Sequence, residues 1–66
     1  MNQVYFITLT ESDGSIYIIN PRYIISMITR NNGTYLYIHD GITKLVKETP
    51  KEIESLIHQK YLILSN

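Results

Sequence analysis

Residues 24–47 read IISMITRNNGTYLYIHDGITKLVK, and this segment predicts an antiparallel sheet. The dipeptides Asn32-Gly33 and Asp40-Gly41 interrupt it, and both favour the positive φ angles that tight hairpin turns require. The residues around them are rich in isoleucine, tyrosine and threonine, which favour strands. We therefore expect three strands, over residues 24–30, 34–39 and 42–47.

Two more strands are predicted nearer the N-terminus, over residues 4–10 and 15–20. The turn Ser12-Asp13-Gly14 separates them, and its glycine supplies the positive φ of a hairpin. Asn20-Pro21 should end the second strand, because proline has no N–H to donate to a neighbouring strand. Asn20 is also suited to cap a short helical turn there.

A helix is predicted over residues 50–61, because Thr49, Pro50 and Glu52 form the signature of a helix start, with a capping box between Thr49 and Glu52. An apolar stripe follows at spacings of three and four and should lie on the sheet: Ile53, Leu56, Ile57, Tyr61 and Leu64. Leu62 and Ile63 fall off this stripe. Residues 61–66 are therefore predicted either to continue the helix or to form a short closing strand.

The composition favours a sheet-dominated fold. Ile, Val, Tyr, Phe and Thr make up 27 of the 66 residues and alanine is absent, so little in the chain favours long helices. We expect one domain over residues 1–66, mainly β (α+β), as a five-stranded antiparallel meander or small barrel with one C-terminal helix. Domains of this size bury only about 60% of their unfolded surface. Because the chain has no cysteine, no disulfide can compensate for the small buried surface, and self-association is the remaining way to stabilise the fold.

The charge balance and the apolar runs limit the partners. Six basic and six acidic residues give a net charge of zero, which argues against nonspecific attraction to phosphate. No apolar run is longer than the four residues of 16–19 or of 61–64, far fewer than the roughly 20 of a membrane-spanning helix. We expect a cytoplasmic protein without a signal peptide and without membrane insertion.

The two histidines are the candidate general bases, His39 beside Asp40 and His58 on the predicted helix. A catalytic triad needs a concave site, and a short antiparallel sheet offers few loops from which to build one. The histidines also lack the spacing with acidic residues that metal sites use. We therefore predict surface histidines and a protein that is not an enzyme, with no catalytic residues, no metal and no cofactor.

An aromatic face is predicted on the fourth strand, where Tyr35, Tyr37 and His39 alternate with Leu36 and Ile38, and Tyr17 of the second strand could join it. Such faces stack single-stranded bases in some small domains. We prefer the interpretation that these side chains pair with one another across the strands, which needs no ligand. A third interpretation is a surface that binds a partner protein. Nucleic acid is disfavoured because acidic residues balance the basic ones.

Several strands are apolar on both faces, as where Ile16 and Ile18 alternate with Tyr17 and Ile19. One helix covers only one face, so the sheet must close into a barrel or bury its second face on another chain. We expect a homodimer or higher homo-oligomer, driven by residues outside the core such as Ile19, Tyr61, Leu62 and Ile63. The candidate partner surface comprises Tyr17, Tyr35, Tyr37, His39, Tyr61, Leu62 and Ile63.

Several short segments carry a family resemblance: residues 7–10, Asp13-Gly14-Ser15, Ile19-Asn20-Pro21, Asp40-Gly41 and residues 45–49. In this order they resemble the FlbD-like family of small flagellar proteins, which includes SwrD. The resemblance spans about residues 5 to 60. It implies a small cytoplasmic protein associated with flagellar operons and motor power, without known enzymatic activity and without catalytic residues. The chain departs from the family in its residues before Tyr5 and in its more apolar tail after Lys60.

The order of elements from Ile24 to Leu56 is also similar to the latter half of the LytTR type of DNA-binding domain. The basic loops that such a domain uses for phosphate contacts are missing here. We therefore expect a non-enzymatic protein-interaction or regulatory module with a protein partner. The alternative is a nucleic-acid-binding accessory domain that uses the face of Tyr35 and Tyr37.

Overall fold

The computed structural model describes residues 4–31 and 33–65, and it contains five antiparallel strands followed by one helix. This arrangement confirms the predicted fold class. The strands are β1 (Ile7–Thr10), β2 (Ile16–Ile19), β3 (Ile24–Arg30), β4 (Gly33–Ile38) and β5 (Ile42–Val46), and the helix is α1 (Pro50–Ser65). Two 3₁₀ turns lie between strands, at Pro21–Tyr23 and His39–Gly41.

The strands form two sheets. β1 and β2 make a hairpin, and β3, β4 and β5 make a three-stranded sheet with β4 in the centre. The two sheets meet where β1 and β5 end: Glu11 forms an antiparallel bridge with Val46, and the Lys47 N–H donates to the Thr10 carbonyl at 2.8 Å. The sheets therefore share one core, although among the described strands β2 pairs only with β1 and β3 only with β4.

The core is a single cluster to which both sheets and the helix contribute. Its buried members are Ile7, Leu9, Ile19, Leu36, Ile38, Val46 and Ile53. The expectation that Ile19 lies outside the core is wrong. Ile19 is the cross-strand partner of Ile7, and because partners share a face of the sheet, both side chains point inward.

The capping box at the start of α1 is confirmed. The Thr49 N–H donates to Glu52 Oε1 at 2.8 Å, and the Glu52 N–H donates to Thr49 Oγ1 at 3.1 Å. Pro50 is the first helical residue, where its missing N–H costs no hydrogen bond.

The helix continues to Ser65, so residues 61–65 are helical and do not form a strand. Ile53 is buried, and Leu56 and Ile57 pack against the core. Tyr61 is 61% exposed, so the prediction that it lies on the sheet is wrong. The side chain of Leu64 and all of Asn66 lie outside the described part of the chain.

The Asn20-Pro21 corner has the predicted cap. Asn20 Oδ1 accepts a hydrogen bond from the Arg22 N–H at 2.9 Å and begins the first 3₁₀ turn. Extending the register of β1 and β2 by one residue would place Phe6 opposite Asn20. Because Asn20 turns away, residues 4–6 have no strand partner there, and β1 begins at Ile7 rather than at residue 4.

The two glycine turns of the three-stranded sheet differ. Asp40 and Gly41 have φ angles of 76° and 77°, the positive values that an Asp-Gly dipeptide in a turn predicts. Asn32 lies outside the described residues. Gly33 belongs to β4, where it pairs with Arg30, so its predicted place inside the turn is wrong although the β3–β4 hairpin forms.

Glu48 links the two sheets just before the helix. Its carboxylate accepts two hydrogen bonds of 2.9 Å from Thr10, one from the backbone N–H and one from the hydroxyl. Its carbonyl accepts a third, of 2.6 Å, from the hydroxyl of the buried Thr34. The end of β1 and the beginning of β4 are thereby held at the same point.

Candidate interaction surfaces

The outer face of the three-stranded sheet carries two of the predicted aromatic residues. Tyr35 lies opposite Ile28 on one side and Leu45 on the other, while Leu36 and Ile38 point into the core. The Arg30 guanidinium lies 5.4 Å from the centroid of the Tyr35 ring, within the range of a cation–π contact. Arg30 therefore occupies part of the Tyr35 ring face, whereas Tyr37 is 38% exposed.

Tyr17 does not join this face. It packs against the core, on the inner side of β2 next to Ile19. Lys44 Nζ lies 5.1 Å from the centroid of its ring and 3.2 Å from Glu11 Oε1. Tyr17 thus belongs to a small polar cluster at the rim of the core, away from Tyr35 and Tyr37.

His39 also leaves the aromatic face, because β4 ends at Ile38 and His39 begins the second 3₁₀ turn. Its ring centroid lies 6.0 Å from that of Tyr23, and its Nδ1 lies 3.1 Å from Asp40 Oδ1. His39, Tyr23 and Tyr17 line one open depression. The structure therefore brings Tyr17 and His39 together, but separately from Tyr35 and Tyr37.

The helix tail forms a third surface. Tyr61 and Ile63 are strongly exposed and Leu62 is about half exposed. Ile63 shares a shallow depression with Ile7 and Thr8 of β1 and with Leu56 of the helix. The end of α1 therefore lies beside the beginning of β1.

A fourth apolar surface was not among the predicted site residues. We call it the hairpin face. It is the outward side of β1 and β2, with the two residues ahead of β1 that continue it, and it comprises Val4, Phe6, Thr8, Thr10, Ile16 and Ile18. Its aliphatic and aromatic members are between 54% and 71% exposed. Its signal in the sequence was the alternation of Ile16 and Ile18 with Tyr17 and Ile19, which makes β2 apolar on both sides.

The titratable groups are mostly at the surface. The side chain of His39 is 65% exposed, and His58 lies on the exposed side of the helix. The Ser15 N–H donates to Asp13 Oδ1 at 2.9 Å, and this bond holds the pKa of the exposed Asp13 carboxyl below its usual value. Within the described ranges, no three histidine, aspartate or glutamate side chains come together as metal ligands.

Within residues 4–31 and 33–65, no helix is both long enough and apolar enough to cross a membrane. Comparison of the chain with models of protein families, with curated proteins and with solved structures finds no match.

Proposed function

We propose that this chain is a small, non-enzymatic protein-interaction module of the FlbD-like kind, which works in the cytoplasm as a homo-oligomer and on a protein partner. The observation that supports this proposal is the number of large apolar side chains left on the surface. They lie on the hairpin face, on the outer face of the three-stranded sheet and on the helix tail. Contiguous apolar patches on a small domain are typical of surfaces that bind other proteins.

The energetics favour contact surfaces over incidental exposure. Burying a large apolar side chain contributes about 1.5 to 3 kcal/mol. Among the described residues only seven hydrophobic side chains are buried, which is a small core for a chain without disulfides. Binding a partner would therefore stabilise both the complex and the fold.

The segments that resemble the FlbD-like family coincide with structural features. Asn20 caps the corner, Asp40-Gly41 makes a turn, and Thr49 caps the helix. These residues fix the path of the backbone at the corner, at the turn and at the start of the helix. The flagellar setting comes from the resemblance alone, and by it the proposed role is an accessory of the flagellar motor that contacts a motor protein or its regulator.

A motility experiment tests this role. Deleting the gene in the source organism should reduce swimming in soft agar, and the wild-type gene should restore it. Tyr37→Lys and Tyr61→Lys alter two exposed apolar surfaces and should fail to restore swimming. Glu54→Gln changes an exposed polar position of the same helix and serves as the control that restores it.

Two results would contradict the proposal. Normal swimming of the deletion strain would exclude the flagellar role. Full restoration by both lysine variants, with the proteins present at wild-type levels, would show that these apolar surfaces are not used for binding.

The alternative function, binding of single-stranded nucleic acid, draws on one contact. Arg30 over Tyr35, with Tyr37 beside it, combines a cation with aromatic rings on a sheet face, as base-stacking surfaces do. The net charge of zero and the occupied ring face of Tyr35 count against it.

Titration of a fluorescent single-stranded oligonucleotide at low and at high salt separates the two functions. The interaction module should show no binding that depends on salt. An affinity that falls with salt and is lost in Tyr37→Ala would favour the alternative.

A further inference from the structure

We propose that a second copy of this chain docks on the hairpin face. This inference rests on the proposed self-association and adds the place where it occurs. Ile16 and Ile18 of β2 are 71% and 59% exposed, and Phe6 ahead of β1 is 54% exposed. Their inward neighbours Tyr5, Tyr17 and Ile19 all pack in or against the core, so the hairpin is a layer with one covered side and one uncovered side.

The apolar surface is continuous from the hairpin to the helix. Thr8 lies opposite Ile18 across the hairpin, so the two side chains are neighbours on the outward face. Thr8 and Ile63 line the same shallow depression. The patch therefore runs from β2 across β1 to the end of α1, where Gln59 and Lys60 also line the depression.

The chemistry of this face suits contact with itself. The residues of the hairpin face, and Ile63 beside it, are uncharged: Val4, Phe6, Thr8, Thr10, Ile16, Ile18 and Ile63. The charged groups lie next to it: Lys60 lines the depression with Thr8, and the Glu48 carboxylate binds Thr10. In a two-fold dimer a patch meets its own copy, so a charge close to the axis faces a like charge, and a charge elsewhere in an apolar patch is buried without a partner. The other surfaces are less suitable in this respect, because the Tyr35 face carries Arg30 and the Tyr17 depression carries His39 and Asp40.

The area is also sufficient. A standard interface buries about 800 Å² on each partner, about one sixth of the 4856 Å² surface of this domain. The five apolar side chains of the patch each offer on the order of 100 Å², or about 500 Å² together. That is about 60% of such an interface, close to the apolar share that interfaces usually have, and the threonines and the backbone between them supply the polar remainder. The two hairpins would stack face to face, about 10 Å apart, as sheets do in a β-sandwich.

Ile18→Lys tests the docking site, with Ile25→Lys as its matched control. Ile25 is 68% exposed but lies on β3, away from the hairpin face. By light scattering after size exclusion, wild type and Ile25→Lys should have twice the 7.7 kDa mass of the chain. Ile18→Lys should be monomeric with an unchanged far-UV spectrum, because a buried lysine should weaken the dimer at least about 30-fold.

A cysteine experiment gives a second test that leaves the face intact. The chain has no cysteine, so Thr8→Cys introduces a single thiol in the middle of the proposed interface. Mild oxidation should convert it to a covalent dimer that survives denaturation. Thr43→Cys places the thiol at an exposed position of β5 and should not cross-link at the same rate.

The outcomes distinguish the docking site from self-association itself. A wild-type protein that stays monomeric at hundreds of micromolar would overturn both. A wild-type dimer that persists in Ile18→Lys, or that cross-links equally through Thr43→Cys and Thr8→Cys, would overturn the assignment of the face and leave self-association standing. If Ile18→Lys does not fold, the cross-linking rates alone decide.

Discussion

Gly33, at the start of β4, lies close to the backbone at the end of β5. A Cβ atom at this position would overlap the Val46 carbonyl oxygen and lie 2.9 Å from the Val46 carbonyl carbon. Its φ of +136° is also a conformation that other residues rarely adopt. Gly33 is therefore required both by its backbone angle and by the space around it.

Gly33→Ala should accordingly be much more damaging than Gly14→Ala. Gly14 also has a positive φ, but nothing lies within 4 Å of the Cβ that the substitution would add. We expect a loss of about 1 to 2 kcal/mol for Gly14→Ala from the backbone angle alone, and more than about 3 kcal/mol for Gly33→Ala. Urea unfolding followed by circular dichroism measures both. Equal losses would mean that β4 and β5 do not approach each other as described.

Asp13 should make a small, pH-dependent contribution to stability. The hydrogen bond from the Ser15 N–H lowers the pKa of Asp13 in the folded protein, so the folded state favours the ionised carboxylate. Its contribution is therefore complete above the unfolded pKa of about 3.9 and is lost as the pH falls through the lower, folded value.

Carbon-13 NMR titration of the Asp13 carboxyl in the folded protein and in urea measures this difference. The midpoint should be lower in the folded protein. Asp13→Asn should reduce the loss of stability between pH 5 and pH 2 relative to wild type. Identical midpoints in the two states would indicate that the hydrogen bond does not form in solution.

Among the elements, α1 depends most clearly on a single residue pair. Thr49→Ala removes the acceptor of the 3.1 Å bond from the Glu52 N–H, and such losses cost about 0.5 to 2 kcal/mol. In a domain of this size each kcal/mol lowers the melting temperature by about 4 to 8 °C. Thermal melting should show this decrease for Thr49→Ala and little change for Ser55→Ala, which is exposed within the same helix. Equal melting temperatures for both variants would contradict the role of the cap.

The elements follow from the sequence to the extent that their signals are local. The capping box, the Asn20 corner and the Asp40-Gly41 turn each depend on residues within four positions of one another, and each forms as predicted. The start of β1 depends instead on a residue far along the chain, because residues 4–6 have no strand partner once the backbone turns at Asn20. Tyr61 was misplaced for a similar reason: its spacing fits the helical stripe, but the core ends before the helix does.

At the scale of the whole domain, the contact of Glu48 with Thr10 is one that no local sequence pattern predicts. Two hydrogen bonds to one carboxylate join segments from different sheets. Glu48→Ala would leave the Thr10 N–H and hydroxyl in a partly buried position without this acceptor. We expect a loss of about 2 to 3 kcal/mol, whereas Glu54→Ala on the exposed side of the helix should change stability by less than about 0.5 kcal/mol.

Urea unfolding of the two variants provides this measurement, and Glu48→Gln adds a control for charge. The glutamine amide keeps one acceptor oxygen, so Glu48→Gln should lose less stability than Glu48→Ala. A Glu48→Ala protein as stable as Glu54→Ala would mean that the junction between the sheets is held by the backbone contacts near Lys47 and Val46 instead.

The candidate surface was predicted only in part, for a geometric reason. Tyr35 and Tyr37 share a face because strand alternation places them there. Tyr17 and His39 were grouped with them on the assumption of one continuous meander. The division into two sheets turns Tyr17 inward, and the end of β4 at Ile38 releases His39 into the second 3₁₀ turn. Which of two apolar faces is covered depends on the path of the chain between the sheets.

The junction at Glu48 also has a kinetic consequence. Within each sheet the strands pair with neighbours in the chain, and such pairings close short loops and form quickly. The Thr10–Glu48 contact spans 38 positions, so its loop is among the more costly to close, and it should form after the folding transition state has been passed. In stopped-flow measurements Glu48→Gln should therefore accelerate unfolding and leave the folding rate nearly unchanged. The contact at this junction would then form late in folding, and its strength would set the unfolding rate and thus the lifetime of the folded state.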